Sequence, residues 1–404
     1  MTALDPRVRI LALTFGEQLR EIDDAFVGRR EAVQLLGLGA LCREHILLLG
    51  PPGTAKTRLV ERFCRMVDTR PFSYLLTRFT EPSEIFGPID VKSFQEQSRY
   101  QVNTEDMLPR ARIAFLDEVF QGSSAILNTL LTLINERTFR DGRPGSDGST
   151  PLISVVGSSN EIPNEPVLSA FSDRFLLRCR VRYVGLDQLE DVLLLGWRDE
   201  QQRIRPGADD TDPAARLAVS VSEADLRLLH EAVAQIDLSP VTGTYLEILR
   251  EIRGAGVKFS DRRAVKAQKV FAASALLAGR GEADLTDLRW LANLWTDEAD
   301  EESLRKIVSG HGVPVEEPGQ QVRELHDITD LDLATIKARA GQVTSEAELR
   351  KLARDAQRLA AEVRRDHPAA NPAADDALKR IQAVQREILT VLRERYPWGG
   401  TDYV

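Results

Sequence analysis

The stretch Gly50-Pro51-Pro52-Gly53-Thr54-Ala55-Lys56-Thr57 constrains the fold more than any other part of the chain. It fits the pattern G-x-x-x-x-G-K-[ST] and follows an apolar run, Ile46 to Leu49. Together these predict a buried strand, a glycine-rich turn and a helix beginning near Lys56. Backbone N–H groups can surround phosphates only where side chains are small, and Gly50 and Gly53 meet that need. In such a loop Lys56 reaches the β- and γ-phosphates and the Thr57 hydroxyl sits on Mg²⁺, while the helix turns its partly positive N-terminus toward the nucleotide. A plain Gly-Pro turn between strand and helix is the alternative, and the full eight-residue match in a strand-to-helix context weighs against it.

A second apolar run, Ile113-Ala114-Phe115-Leu116, ends in Asp117-Glu118. It reads as a buried parallel strand that delivers two carboxylates to the carboxyl edge of a sheet, where open α/β folds bind ligands. Asp117 is the candidate Mg²⁺-associated acid, and Glu118 the candidate base that orients and polarises the attacking water. Alone, this run is as consistent with a mere strand end. A third strand, Leu152 to Gly157, leads into Ser158-Ser159-Asn160. The Asn160 amide can bond the water or the γ-phosphate, or it can make an ordinary Asx turn before Pro163. In Asp173-Arg174-Phe175, Arg174 is either a surface guanidinium or a cation supplied to a neighbour's nucleotide.

Composition excludes several classes. A net charge of −9 over 404 residues argues against a protein whose main task is gripping a phosphate backbone. No apolar segment approaches the roughly 18 to 20 residues needed to cross a membrane, and MTALDPRVRI has no signal-peptide core, so a cytoplasmic location without membrane insertion is expected. Cys42, Cys64 and Cys179 lack C-x-x-C spacing and read as core residues. His45, His230, His311, His326 and His367 show no metal-ligand spacing.

The order GPPGTAKT, IAFLDE, SSN, SDRF resembles the AAA+ ATPases. The text between, TRFTEPSEIFGPIDVKSFQEQSRYQ and LPRARIAFLDEVFQGSSAILNTLLTLINERTFRDG, looks like the MoxR family, especially its RavA-type members, over about residues 20 to 310. The resemblance implies an ATP- and Mg²⁺-dependent ATPase. Lys56 and Thr57 become the Walker A pair, Asp117 and Glu118 the Walker B pair, Asn160 the first sensor and Arg174 the arginine finger. The second sensor falls on Arg262 in Phe259-Ser260-Asp261-Arg262-Arg263. MoxR proteins more often have Ser-Pro-Arg there, so Arg263 stays an alternative. Phe26-Val27-Gly28-Arg29 resembles the segment bordering the adenine, which makes Val27 and Gly28 nucleotide contacts. The insert around Ile85 to Tyr100, and Thr138 to Ser149, would face a substrate or partner near a ring axis. A homo-oligomer, a hexamer, is implied, as is a protein partner bearing a von Willebrand A domain.

The expected fold class is α/β: a P-loop core with a parallel sheet, an all-α lid and a C-terminal helical hairpin. The expected division is an α/β nucleotide-binding domain over 1–184, a linker over 185–221, a lid over 222–310 and a C-terminal helical region over 311–404. Leading helices are expected from Asp5 to Ala25 and Arg30 to Arg43. Leu226, Leu229, Val233 and Ile236 recur at helical spacing in the lid, which would close Arg262 over the phosphates. Leu349, Leu352, Ala356, Leu359 and Val363 form one late apolar face, and Leu378, Ile381, Val384, Ile388 and Leu392 another. Those stripes are expected against the lid or a neighbouring subunit. The functional reading is a ring that remodels or activates protein partners in a chaperone-like role. The alternatives are a nucleic-acid motor and a chelatase-type subunit, which can carry the same motifs.

Overall fold

The computed structural model describes residues 4–143, 145–163, 165–185, 188–204 and 221–315, then Ile336, positions within 349–363, and 372–395. The chain forms two compact units, Met1–Gly319 and Gln320–Val404. The first is built on a parallel sheet of β1 (His45–Leu49), β2 (Phe72–Leu75), β3 (Ile113–Asp117), β4 (Ser154–Ser159) and β5 (Phe175–Arg180), in the order β2-β3-β4-β1-β5. β1 lies between β4 and β5 with all five residues buried, which explains its unbroken apolar text, since a strand covered on both faces has no reason to alternate. The expected α/β core with its parallel sheet is therefore present.

The helices are α1 (Pro6–Ala25), α2 (Arg30–Cys42), α3 (Lys56–Met66), α4 (Pro82–Phe86), α5 (Val91–Gln97), α6 (Ser124–Glu136), α7 (Pro166–Ser172), α8 (Leu189–Ile204), α9 (Glu223–Val233), α10 (Ser239–Gly254), α11 (Asp261–Leu277) and α12 (Glu301–Gly310). Their starts follow local chemistry. Asp5 accepts the Arg7 N–H at 2.8 Å ahead of Pro6, and Ser222 with Asp225 forms a reciprocal cap on α9. Ser260 accepts the Arg263 N–H at 3.2 Å and so fixes where α11 begins. Leu226, Leu229 and Val233 on α9 are buried, as their spacing predicts.

Two expectations are corrected. The segment 185–221 is not an irregular connection throughout, because α8 occupies sixteen of its residues. Leu189, Val192, Leu193 and Trp197 recur along it at helical steps, and the single Gly196 is too small a penalty to break such a helix. Pro206-Gly207, Asp209-Asp210 and Pro213 lie outside the described residues. Strand β4 is also shifted two residues past the expected Leu152 to Gly157. Leu152 and Ile153 are buried, but their carbonyls accept from the Arg137 guanidinium, and the parallel ladder to β1 runs from Val156 to Ser159.

In the second unit, Leu349, Leu352, Ala356, Leu359 and Val363 pack in one buried cluster with Ile381, Val384, Ile388 and Leu392 of the helix Pro372–Arg395. The two stripes cover each other within this unit. The tail Tyr396 to Gly400 lies outside the described residues, and among the described residues no helix is long and apolar enough to cross a membrane.

Because each unit has its own core, Ile381→Ala should cost about 2–5 kcal/mol within the second unit alone. Differential scanning calorimetry should show one transition displaced downward and the other unmoved; displacement of both would mean that the units unfold as one.

Candidate functional site

The carboxyl edge of the sheet gathers the first group of residues. Leu49 pairs with Ser159 and Arg180, and Leu116 with Gly157, so the ends of β1, β3 and β4 lie side by side. The turn after β1 demands glycine twice. At Gly50 (φ +152°) a Cβ would stand 2.0 Å from the Val181 carbonyl oxygen, and Gly53 (φ +78°) has a backbone that other residues rarely adopt, facing open space. Ala55 takes the left-handed conformation and α3 begins at Lys56 with no side-chain cap. No side chain at the N-cap occupies this helix start, the arrangement that receives an anion at a helix N-terminus.

Lys56 folds over this turn, donating to the carbonyls of Gly50 (2.7 Å) and Pro51 (2.9 Å). Burial lowers its pKa, with the Asp117 and Glu118 charges opposing that shift. Thr54 Oγ1 donates to the Pro51 carbonyl at 3.0 Å, and Tyr183 Oη reaches the Pro52 carbonyl at 3.3 Å. Arg29 is buried beneath the loop, its Nε donating to the Thr54 carbonyl at 3.0 Å. Arg29 thus braces the loop, a role its sequence neighbours did not signal. Val27 and Gly28 immediately precede it, and Gly28 lies against Val184 and Gln188.

Asp117 accepts from the Ser158 hydroxyl and, at 3.2 Å, from the Glu118 N–H. Glu118 occupies the left-handed region (φ 51°), an uncommon place for a non-glycine residue. Asn160 Nδ2 donates to Glu118 Oε1 at 3.2 Å. Burial first, and then the adjacent Asp117 charge, raise the Glu118 carboxyl pKa, while Lys56 pulls it down. The donors at this edge suit a nucleotide with Mg²⁺: an uncapped helix start and an ammonium for phosphate, a carboxylate and the Thr57 hydroxyl for a hard cation. Among the described residues no group of three or more His, Cys, Asp or Glu side chains is set to hold a metal.

Arg174 and Arg262 do not join this group. Phe175 pairs with His45, the first residue of β1, so Arg174 stands at the opposite edge of the sheet from the Gly50 turn. There it lines a cavity of about 570 Å³ together with Asn135, Arg262 and Lys266, and its buried Nε has no protein partner. Arg262 donates to Asn135 Oδ1 at 3.0 Å. Closure of Arg262 over its own chain's phosphates is therefore not the arrangement found, because α11 is tied to the amino ends of the strands. Arg263 does that tying. It is buried, donating to the carbonyls of Leu176 (2.9 Å) and Leu294 (3.0 Å) and pairing with Asp173 at 3.1 Å. Of the two arginines only Arg262 faces the cavity, and no sequence signal separated them.

The matching family models are "MoxR domain in the MoxR-vWA-beta-propeller ternary systems" over residues 14–211 and "AAA lid domain" over 243–308. Two uncharacterized proteins of Methanocaldococcus jannaschii are each 35% identical over 286 residues, covering 70% of this chain and 71% and 72% of theirs. Chaperone MoxR1 of Mycobacterium tuberculosis is 27% identical over 183 residues, 45% of this chain and 47% of its own. A crystal structure of a protein from Cytophaga hutchinsonii assigned as an ATPase superposes with a TM-score of 0.59 at 18% identity, covering 77% of this chain and 97% of that one. That likeness concerns the fold.

Arg263→Ala should destabilise the first unit by about 3–5 kcal/mol, because it strands Asp173 and removes donors from buried carbonyls. Arg262→Ala should leave the thermal midpoint unchanged. Equal effects of the two on thermal unfolding would contradict this division of roles.

Proposed function

This chain belongs to the MoxR family of AAA+ ATPases, and from that premise we propose that it binds ATP with Mg²⁺ at the carboxyl edge of its sheet and hydrolyses it within a homo-oligomer. The observation that carries the reading is the convergence of an uncapped helix start, Lys56, Asp117, Glu118 and Asn160 on one edge. In this reading the first-turn N–H groups of α3 and the residues Gly50 to Thr57 hold the phosphates, and Val27 and Gly28 border the adenine. Lys56 leaves the loop carbonyls to pair with phosphate oxygens. Bound Mg²⁺, held by Thr57 and Asp117 with the nucleotide, would neutralise charge on the phosphates. Asn160 holds the Glu118 carboxylate by one oxygen and leaves the other to accept a proton from the attacking water.

The second part of the proposal is that Arg174, with Arg262 beside it, is presented to the nucleotide of a neighbouring copy. Their place at the far edge of the sheet supports this, since a cation that stabilises charge developing on the γ-phosphate must lie beside it. A hexamer would satisfy the requirement in every subunit. The α/β domain over 1–184 and the lid over 222–310 are the moving parts we assign to it. A chaperone-like action on a von Willebrand A protein is proposed from the description of the matching family model and from the name of the Mycobacterium relative. The RavA-type affinity rests on the text of the insert and of the LLTLINER helix. A cytoplasmic location is part of the same proposal.

Lys56→Ala should abolish ATP binding, whereas Glu118→Gln should bind ATP with parental affinity and lose hydrolysis, the pattern of a group needed only in the transition state. Equilibrium binding and steady-state turnover check both, and parental turnover in Glu118→Gln would remove it as the base. Mixing Arg174→Ala with Lys56→Ala should restore part of the turnover that each lacks, a finger of this kind contributing roughly 10³ to 10⁵ in rate. Absence of recovery in mixed assemblies would place Arg174 outside a shared site.

The raised Glu118 pKa has a sign. The carboxyl keeps its proton to a higher pH than an ordinary glutamate, so kcat/KM should rise with pH through a limb above the usual glutamate value. A limb at or below that value would mean that another group controls the acid side.

A further inference from the structure

Glu44 is a buried carboxylate with two ammonium partners in the lining of the cavity that Arg174 and Arg262 share. Its side chain is 3% exposed, Oε2 accepts from Lys266 Nζ at 2.5 Å, and Oε1 accepts from Lys269 Nζ. Its backbone is equally fixed. The N–H donates to the Gly39 carbonyl at 2.9 Å, and the carbonyl accepts from Ser154 Oγ at 2.8 Å, which locks Glu44 to the end of α2 and the start of β4. Lys266 and Lys269 follow Arg262 by four and seven positions on α11, so all three project from one face of that helix. Burial alone would raise the Glu44 carboxyl pKa, and the charges and hydrogen bonds of the two lysines outweigh it, leaving it below the ordinary carboxylate value. The neighbouring His45 is pushed down to about 3, first by burial and then by the Arg137 charge, and so adds no cation.

We propose that Glu44 is a positioning residue for the arginine pair: by gripping Lys266 and Lys269 it holds the exposed face of α11 against the sheet edge, and so keeps Arg262 beside Arg174 for a triphosphate presented by a second copy of this chain. The proposal rests on the reading of Arg174 as a group supplied to a neighbour's nucleotide. Asn135 grips Arg262 directly from the last turn of α6, and the Asp173–Arg263 pair joins the residues next to Arg174 and Arg262. Asp173 is taken up by Arg263, and Glu44 is the anion that answers Lys266 and Lys269 on the face of α11 that carries Arg262. Without Glu44, Lys266 and Lys269 lose their shared anion and stand on the same cavity as Arg174 and Arg262 with charge of the same sign, which loosens the hold of α11 on the sheet edge.

The test uses the full-length assembled protein. Glu44→Gln keeps the shape and removes the charge. Its kcat should fall by roughly 10- to 100-fold, the penalty for misplacing a group by about an ångström. Affinity for a fluorescent ATP analogue should stay parental, because the Gly50 turn is at the other edge. Glu44→Gln combined with Arg174→Ala should be no slower than Arg174→Ala alone, and Glu44→Asp should recover part of the lost turnover. Lys269→Met, on a side chain 44% exposed, removes one arm of the clamp without disturbing folding and should lower kcat in the same way but less. Should Glu44→Gln fail to fold, Lys269→Met decides. Parental kcat in these clamp variants while Arg174→Ala is slow would overturn the proposal and leave the shared-site reading standing, as would additive loss in the double variant. Parental kcat in Arg174→Ala would sink the shared-site reading and the proposal with it.

Discussion

Everything of functional interest hangs from the two-sided pairing of β1. Ile46 to Leu49 carry ladders to β4 and β5 at once, His45 pairs with β5, and the side chains bury on both faces. The Gly50 N–H continues the pairing to the Ser159 carbonyl at 3.0 Å, and Val181 N–H donates to the Leu49 carbonyl at 2.7 Å. The Gly50 turn is thus pinned to both neighbours at the Leu49–Gly50 peptide. At the other end, His45 Nδ1 accepts the Val155 N–H at 3.0 Å while Nε2–H donates to the Ile134 carbonyl at 3.1 Å, so the ring is a neutral connector between β4 and α6. A strand held this way cannot slip, because a one-residue shift would reverse the placement of every side chain.

The helical part from α9 to α12 is attached by directional bonds to buried guanidinium groups as well as by apolar area. Arg178, fully buried, donates to the Ser172 carbonyl at 2.9 Å, to the Ser172 hydroxyl at 3.0 Å and to the Thr296 carbonyl, with Trp295 5.3 Å from its centre. Burial, and next the Arg263 charge, lower its pKa. Arg180 bridges Glu298 and Glu301, and Asn293 Nδ2 donates to both Glu31 and the Arg178 carbonyl. A buried cation that lost one of these acceptors would carry an uncompensated desolvation cost, so the helices have one favourable seat on the sheet rather than several. That uniqueness matters more than the strength of any single bond, since it fixes where α11 presents Arg262.

What the sequence made legible was what local geometry dictates. The Gly50–Thr57 turn, the apolar text of β1 and β3, and the carboxylates at the end of β3 are short-range consequences of strand, turn and helix chemistry, and each lies where its pattern implied. The ends of elements were read less well. β4 begins later than its apolar text because Arg137, from the α6 terminus, takes the carbonyls of Leu152 and Ile153, a contact between residues about fifteen apart that no pattern encodes. α8 was hidden by glycines and prolines around it, and its exposed Leu193 and Trp197 make a weaker amphipathic signal than a packed helix would. Arg262 and Arg263 are adjacent and chemically alike, so only tertiary placement separates a buried strut from a cavity-facing group. Glu44 was invisible for the same reason, its partners lying more than two hundred residues away.

The separation of the two charged groups follows from strand length. The first and last Cα atoms of a five-residue strand are roughly 13 Å apart, and in a parallel sheet every strand runs the same way. Arg174 precedes β5 at the amino edge, while Lys56 follows β1 at the carboxyl edge. Within one chain, therefore, the cation and the phosphate turn sit at opposite ends of a rigid, fully buried strand, and no rotamer change brings them together. In the proposed head-to-tail assembly the carboxyl edge of one copy would face the amino edge of the next, which would complete one site per interface and leave none complete in isolation. A catalytic cycle built on such halves would be sensitive to any movement of α11 against the sheet, because that movement displaces the donated cation while leaving the phosphate turn untouched.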